Sequence, residues 1–159
     1  MHSKRDERIR VGVADLAATN GHRVLVTSGL GSCVGVALYD DGGVGGLLHA
    51  MLPAAPPDAP NPAKFVDAGI RALLEEMADN GAKRGTIRAK LTGGSSMLNL
   101  GNGQPVGEKN VEAAIDALAT HDIELVADET GGDAGRSVAF HPDTGVLEIS
   151  RVNAEVTEI

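Results

Sequence analysis

The sequence predicts an α/β domain built on a mixed, largely antiparallel sheet flanked by helices. Three observations carry this. Short β-branched runs arrive as hairpins at both ends of the chain. Two helical patterns lie between them. A proline-rich loop separates the first hairpin from the first helix, so the order is not a regular βαβ winding.

Each element has its own signal. Residues 9–16 (IRVGVADL) alternate and read as one strand, and residues 22–27 (HRVLVT) as a second. Gly29-Leu30-Gly31-Ser32 is a bend. Residues 33–39 (CVGVALY) and 44–52 form a hairpin across the turn Asp40-Asp41-Gly42-Gly43. Residues 53–62 (PAAPPDAPNP) cannot lie inside a sheet. Asn61-Pro62 is a helix start, with Asn as N-cap and Pro in the first turn. The helix over 62–80 places Phe65, Gly69, Ala72, Leu73 and Met77 on one face and closes at Gly81. Residues 86–91 are a strand leading into Thr92-Gly93-Gly94-Ser95-Ser96. A second helix over 108–120 carries a stripe of Val111, Ala114, Ile115 and Leu118. Residues 123–127 form a strand, 128–135 a polar loop, and 136–140 with 146–152 a hairpin across Pro142-Asp143-Thr144-Gly145.

The chain of 159 residues suits a single domain over 9–159, with 1–8 a flexible tail. The charged start, MHSKRDER, does not read as a secretory signal, and no apolar run reaches the roughly 18 residues of a membrane span. One cysteine without a signal is expected in the cytoplasm. A net charge of −8 and the absence of Trp argue against nucleic acid as a partner and against base-stacking platforms. The acidic, Lys-poor composition fits a salt-adapted protein.

Cys33 is the sole cysteine and follows a glycine-rich bend. A thiol attacks as thiolate and needs a base or a positive field. Gly29 and Gly31 would let backbone N–H groups approach whatever the sulfur attacks, as an oxyanion hole requires. His49 is the natural base. Hairpin pairing puts Cys33 opposite residue 50 or 51, with His49 a near neighbour. His2, His22, His121 and His141 lie in the tail, at a strand start, at a helix end and at a turn. The plainer alternatives stay open on composition alone: Cys33 as a small buried hydrophobe, His49 as a hydrogen-bonded core group, the glycines as a bulge. Metal binding lacks ligand spacing. Gly29-x-Gly31 is a poor dinucleotide loop, because a strand follows where a helix should open, and there is no P-loop. Gly93-Gly94-Ser95 could offer N–H groups to an anion or be a plain turn. Arg136, behind Gly131-Gly132, could hold a carboxamide or carboxylate, or only pair with a surface Asp.

The ordered set of motifs resembles the CheD family of chemoreceptor glutamine deamidases. It comprises Thr27-Ser28-Gly29-Leu30-Gly31-Ser32-Cys33-Val34, Tyr39-Asp40 and Gly46-Leu47-Leu48-His49-Ala50-Met51-Leu52-Pro53. Lys64-Phe65-Val66-Asp67, Leu91-Thr92-Gly93-Gly94-Ser95-Ser96-Met97 and Gly107-Glu108-Lys109-Asn110-Val111 follow, then Asp128-Glu129-Thr130-Gly131-Gly132 with Gly135-Arg136-Ser137. The resemblance covers nearly the whole chain. It implies an α/β sandwich similar to the deamidase domain of a cytotoxic necrotizing toxin. It implies hydrolysis of selected glutamine side chains of methyl-accepting chemotaxis receptors to glutamate and ammonia, with glutamyl methyl esters credited to some members. The family's catalytic Cys, His and Thr fall on Cys33, His49 and Thr27, and no metal or organic cofactor is implied. Ser32, Gly31, Gly93, Gly94, Ser95 and Arg136 are candidates for oxyanion or substrate binding. A CheC-type phosphatase is the implied second partner. A rival reading keeps the fold as a non-catalytic module that docks on such a phosphatase or a receptor. The family often has an aromatic near Leu98, which this sequence lacks.

Overall fold

A computed structural model describes residues 8–96 and 103–159. Ten strands run in chain order: β1 (Arg8–Arg10), β2 (Asp15–Thr19), β3 (Val24–Leu30), β4 (Val34–Tyr39), β5 (Gly45–Ala50), β6 (Arg88–Gly93), β7 (Glu124–Thr130), β8 (Arg136–His141), β9 (Val146–Ser150) and β10 (Thr157–Glu158). Two helices, α1 (Val66–Asp79) and α2 (Val106–Thr120), flank β6 in sequence. The strands form two five-stranded sheets, β1-β3-β8-β9-β10 and β2-β5-β4-β6-β7. Both are mixed: β1–β3 and β6–β7 are parallel pairs and the rest antiparallel. The expected α/β sandwich is therefore observed.

The layering follows from alternation along β4 and β5. Val34, Val36 and Leu38 pack with Leu48 and Ala50 against α1 and α2, through Ile70, Leu73, Met77, Ala114 and Leu118. Ala37, Tyr39 and Leu47 face the other way, onto Leu25, Leu30, Val138, Phe140, Leu147 and Ile149 of the first sheet. Every residue of β4 and β5 is buried. A strand covered on both faces reads as an unbroken apolar run, as these do. His49 is the exception in that run, and it lies on the inter-sheet side with Leu47.

Close approach is secured by glycine at two adjacent positions. A Cβ on Gly45 would lie 2.6 Å from Cβ of Pro142, toward the first sheet. One on Gly46 would lie 2.5 Å from Cδ1 of Leu73 on α1 and 2.9 Å from the Ala17 carbonyl oxygen.

Several expectations need correcting. The single strand over 9–16 is two strands in different sheets. The chain crosses between them at Ala14, which adopts φ 58, a left-handed turn with no glycine to announce it. Arg8, assigned to the tail, opens β1, while residues 1–7 with His2, and Leu98, lie outside the described residues. β3 continues through the expected bend to Leu30, with its pairing to β8 shifting register between Thr27 and Leu30. Asn61 does cap, accepting from the Ala63 N–H at 3.2 Å, but it caps a single 3-10 turn, Pro62–Lys64. Phe65 is then extended because Leu52 bridges the residues on either side of it, its N–H donating to the Lys64 carbonyl and its carbonyl accepting from the Val66 N–H, so α1 starts at Val66. Gly81 (φ 86) closes α1 as expected. On α2 the buried face is Gly107, Asn110, Ala114, Ala117 and Leu118, and Ile115 is 46% exposed. Small residues let α2 lie close to the sheet, so its inward stripe is not its most apolar one. β7 runs on to Thr130, taking in residues expected to be loop. No helix among the described residues is long and apolar enough to cross a membrane.

Gly46→Ala should destabilise the fold by about 1–3 kcal/mol through overpacking against Leu73 and the β2 backbone. Urea denaturation should show a lower midpoint with an unchanged slope.

Candidate active site

Cys33 lies at the mouth of β4, His49 near the end of β5 and Thr27 on β3 of the opposite sheet. The β4–β5 register pairs Val34 with Ala50 and Gly35 with His49. Extended by one step, it sets Cys33 opposite Met51, as the hairpin turn predicts. His49 is then the diagonal neighbour of Cys33, a relation that spans roughly 7–8 Å between Cα atoms and less between side chains. Both face the inter-sheet layer, for Cys33 packs against the same apolar cluster as Leu30 and Ala37. Gly35 stands between them without a side chain, and Leu30 Cδ1 fills the space above it.

The third residue arrives from across the sandwich. Thr27 Oγ1 and His49 Nδ1 are 2.7 Å apart, a buried hydrogen bond whose donor depends on the imidazole tautomer. The other ring nitrogen, Nε2, is buried without a partner among the described residues. Burial pushes the His49 imidazole below its usual pKa range, so the ring is neutral at neutral pH. Burial likewise pushes the Cys33 thiol up, partly offset by the residue's own backbone N–H. At rest the thiol is thus protonated and the imidazole neutral. Ser32 is exposed and Cys33 half-buried, so the sulfur lies just beneath the surface.

The glycine-rich segments hold this corner together. The Gly94 N–H donates to the Cys33 carbonyl at 2.8 Å and the Ser95 N–H to the Gly31 carbonyl at 2.9 Å. These two N–H groups therefore brace the cysteine loop instead of facing an anion. Gly93 (φ 96) passes so near that a Cβ there would lie 2.4 Å from the Cys33 carbonyl oxygen. The Gly31 N–H is turned inward to the Gly29 carbonyl at 3.0 Å. On the far side, Gly131 N–H donates to the Gly93 carbonyl and Ser96 N–H to the Gly132 carbonyl, each at 2.9 Å.

Arg136 is buried, and its guanidinium has other partners than the thiol corner. Nε donates to Glu129 Oε1 at 2.7 Å and Nη2 to the Gly131 carbonyl at 2.7 Å. Arg151 also pairs with Glu129, and Thr92 Oγ1 donates to the Glu129 carbonyl at 2.8 Å. These contacts are an internal ion pair with Glu129, not the pairing with a surface Asp that the sequence suggested. A depression of about 530 Å³ lies on the outer face of the first sheet, behind Thr27 and lined by Arg8, Arg10, Ser28, His141 and Glu148; it does not reach Cys33.

Sequence reasoning gave Asn110 no role of its own. It is fully buried on α2 and donates to the Ser32 and Met51 carbonyls, both at 2.9 Å. The available signal was an amide at an inward position three residues after Gly107 and four before Ala114. The buried side-chain polar atoms left without partners among the described residues are His49 Nε2, Ser95 Oγ and Asn110 Oδ1. All three belong to this corner, and orphaned polar atoms cost stability unless something else uses them.

A sulfur, a neutral imidazole and a hydroxyl on its far nitrogen form the type of arrangement that performs cysteine-based acyl transfer. A family model described as CheD chemotactic sensory transduction matches residues 51–151. Whole-length relatives extend the likeness over the segment bearing Thr27, Cys33 and His49. A probable chemoreceptor glutamine deamidase CheD of Haloarcula marismortui is 45% identical over 94% of this chain and 88% of its own. Proteins of the same name from Natronomonas pharaonis and Clostridium tetani are each 40% identical, over 99% and 100% of this chain and 96% and 100% of theirs. The chain belongs to the CheD family.

Because His49 is buried neutral, the unfolded chain binds more protons than the native one below the ordinary histidine range. Its contribution is fully present above about pH 6.5 and is lost as pH falls through the lower folded-state value. Stability measured by denaturant should decline on acidification below that point, and less steeply in His49→Gln.

Proposed function

We propose that this protein is a cysteine-dependent deamidase that converts selected glutamine side chains of chemoreceptors to glutamate with release of ammonia. The relatives' names supply the substrate class. The observation that carries the chemistry is the 2.7 Å hydrogen bond between Thr27 Oγ1 and His49 Nδ1, which leaves Nε2 buried and without a partner among the described residues.

The reaction follows from the resting protonation states. With the Nδ1 proton donated to Thr27 Oγ1, the Nε2 lone pair accepts the Cys33 proton as the sulfur attacks the carboxamide carbon. An S–C bond forms, and the carbonyl oxygen becomes an oxyanion held by backbone N–H groups at Ser32–Cys33. His49 then passes its proton to the amide nitrogen, the C–N bond breaks, and ammonia leaves. Water, deprotonated by His49, attacks the thioester; the C–S bond breaks, the proton returns to sulfur and a carboxylate remains. A glutamyl methyl ester would follow the same path with methanol as leaving group. Burial of His49 suits this role, since a ring charged at rest could not take the thiol's proton.

The product places a negative charge where a neutral amide stood. On a receptor's helical bundle this alters repulsion between helices and biases a signalling equilibrium. A CheC-type phosphatase would regulate this step by covering the same thiol corner. Docking alone would not need a buried imidazole with an unpartnered nitrogen, which favours the enzyme over a pure binding module.

Incubation of purified receptor cytoplasmic domain with the protein should add about one dalton at each modified glutamine, read by peptide mass mapping. Cys33→Ala should abolish the gain, and unimpaired activity in that variant would remove the sulfur from the mechanism. His49→Gln should lower kcat by about 10²–10⁴-fold. Thr27→Val should cost about 10²-fold through loss of ring alignment. The acid limb of kcat/KM should fall below about pH 6.5, the usual histidine value, because burial lowers the His49 pKa.

A further inference from the structure

Asn110 makes two bonds that no other described side chain makes at this corner. Its Nδ2 donates to the carbonyl of Ser32, which directly precedes the cysteine, and to that of Met51, which the register sets opposite the cysteine. Both carbonyls lie just past the end of the β4–β5 ladder, where strand pairing no longer fixes them. The orientation of the amide is dictated chemically. Two carbonyl acceptors require the NH2 group, and the flipped rotamer would set three oxygens against one another. Oδ1 is left buried and unpartnered as the consequence.

The Ser32 carbonyl matters because of the peptide to which it belongs. A peptide group is planar and trans, so its C=O and the following N–H point in opposite directions. Holding the Ser32 oxygen toward α2 turns the Cys33 N–H away from α2, to the side where the sulfur lies. On the other side of the same residue, the Cys33 carbonyl is held by the Gly94 N–H at 2.8 Å. The peptides before and after the nucleophile are thus both clamped, one by a side chain from α2 and one by the β6 loop.

We propose that Asn110 is a positioning residue of the acyl-transfer site, fixing the Ser32–Cys33 peptide so that the Cys33 N–H is presented to the developing oxyanion. This rests on the acyl-transfer reading of the cysteine, but not on glutamine being its substrate. Leucine at 110 keeps the volume and removes both donors. Aspartate would face two carbonyls with a carboxylate. Serine leaves room for water but cannot span both carbonyls.

Two reagents separate this role from plain support of the fold. Acylation of Cys33 by p-nitrophenyl acetate passes through an oxyanion; alkylation by iodoacetamide does not. In Asn110→Leu, acylation should fall by about 10²-fold while alkylation stays within about threefold, the loss expected for one misplaced oxyanion donor. Receptor deamidation should lose about 10²-fold in kcat with KM nearly unchanged, as for a contact made only in the transition state. Thermal melts establish which variants fold, and Asn110→Ser answers the same question if the leucine variant does not. Equal loss of acylation and alkylation in a folded variant, or loss of neither, overturns the proposal. A selective loss of acylation in a protein that leaves receptor glutamines unchanged keeps the proposal and defeats the glutamine reading. A wild-type thiol that p-nitrophenyl acetate does not acylate defeats the acyl-transfer site and the proposal together.

Discussion

The β4–β5 hairpin is buried on both faces, and the site depends on that constraint. Because helices cover one side and a second sheet the other, His49 on β5 is fully buried. Its ring must be neutral and must find partners inside the protein. Thr27 supplies one from the opposing sheet. One hydrogen bond therefore links the two layers, orients the imidazole and leaves Nε2 without a partner among the described residues. A single-sheet fold with a solvated outer face could not make this arrangement.

The loops around the sulfur are held by main-chain contacts. Glycines at 93, 94 and 107 allow three segments to touch where side chains would collide. In exchange, their N–H and C=O groups bond one another across the segments 31–33, 93–96 and 131–132. This explains why so many small residues sit beside Cys33 without forming an anion-binding nest. Under the proposed reaction this rigidity would matter, since donors must be in place before charge develops.

The charge distribution is complementary to this design. Buried Arg136 and partly buried Glu129 form an ion pair that closes the 131–135 loop away from the thiol, with Arg151 also pairing with Glu129. Cys33 and His49 carry no resting charge. A buried imidazolium–thiolate would require desolvating two ions, which is costly unless other groups compensate. A neutral thiol and imidazole avoid that cost.

The sequence alone determined the elements that local chemistry controls. The 40–43 turn, the closing Gly81, the 142–145 hairpin and the β4–β5 pairing were all readable, because turn residues and β-branched runs act over a few positions. Pairing was enough to bring His49 near Cys33. Tertiary structure alone decided the rest. The strand expected over 9–16 divides between sheets because Ala14 turns left-handed, which no residue type signals there. The face of α2 is set by how closely Gly107 can approach the 94–95 backbone, not by which side is most apolar. The fates of Gly94, Ser95 and Arg136 depended on neighbours far away in the chain. Thr27 belongs to a different sheet from His49, and their contact exists only once the two sheets pack. Periodicity reports which way a side chain leaves its own backbone, but not what comes to meet it.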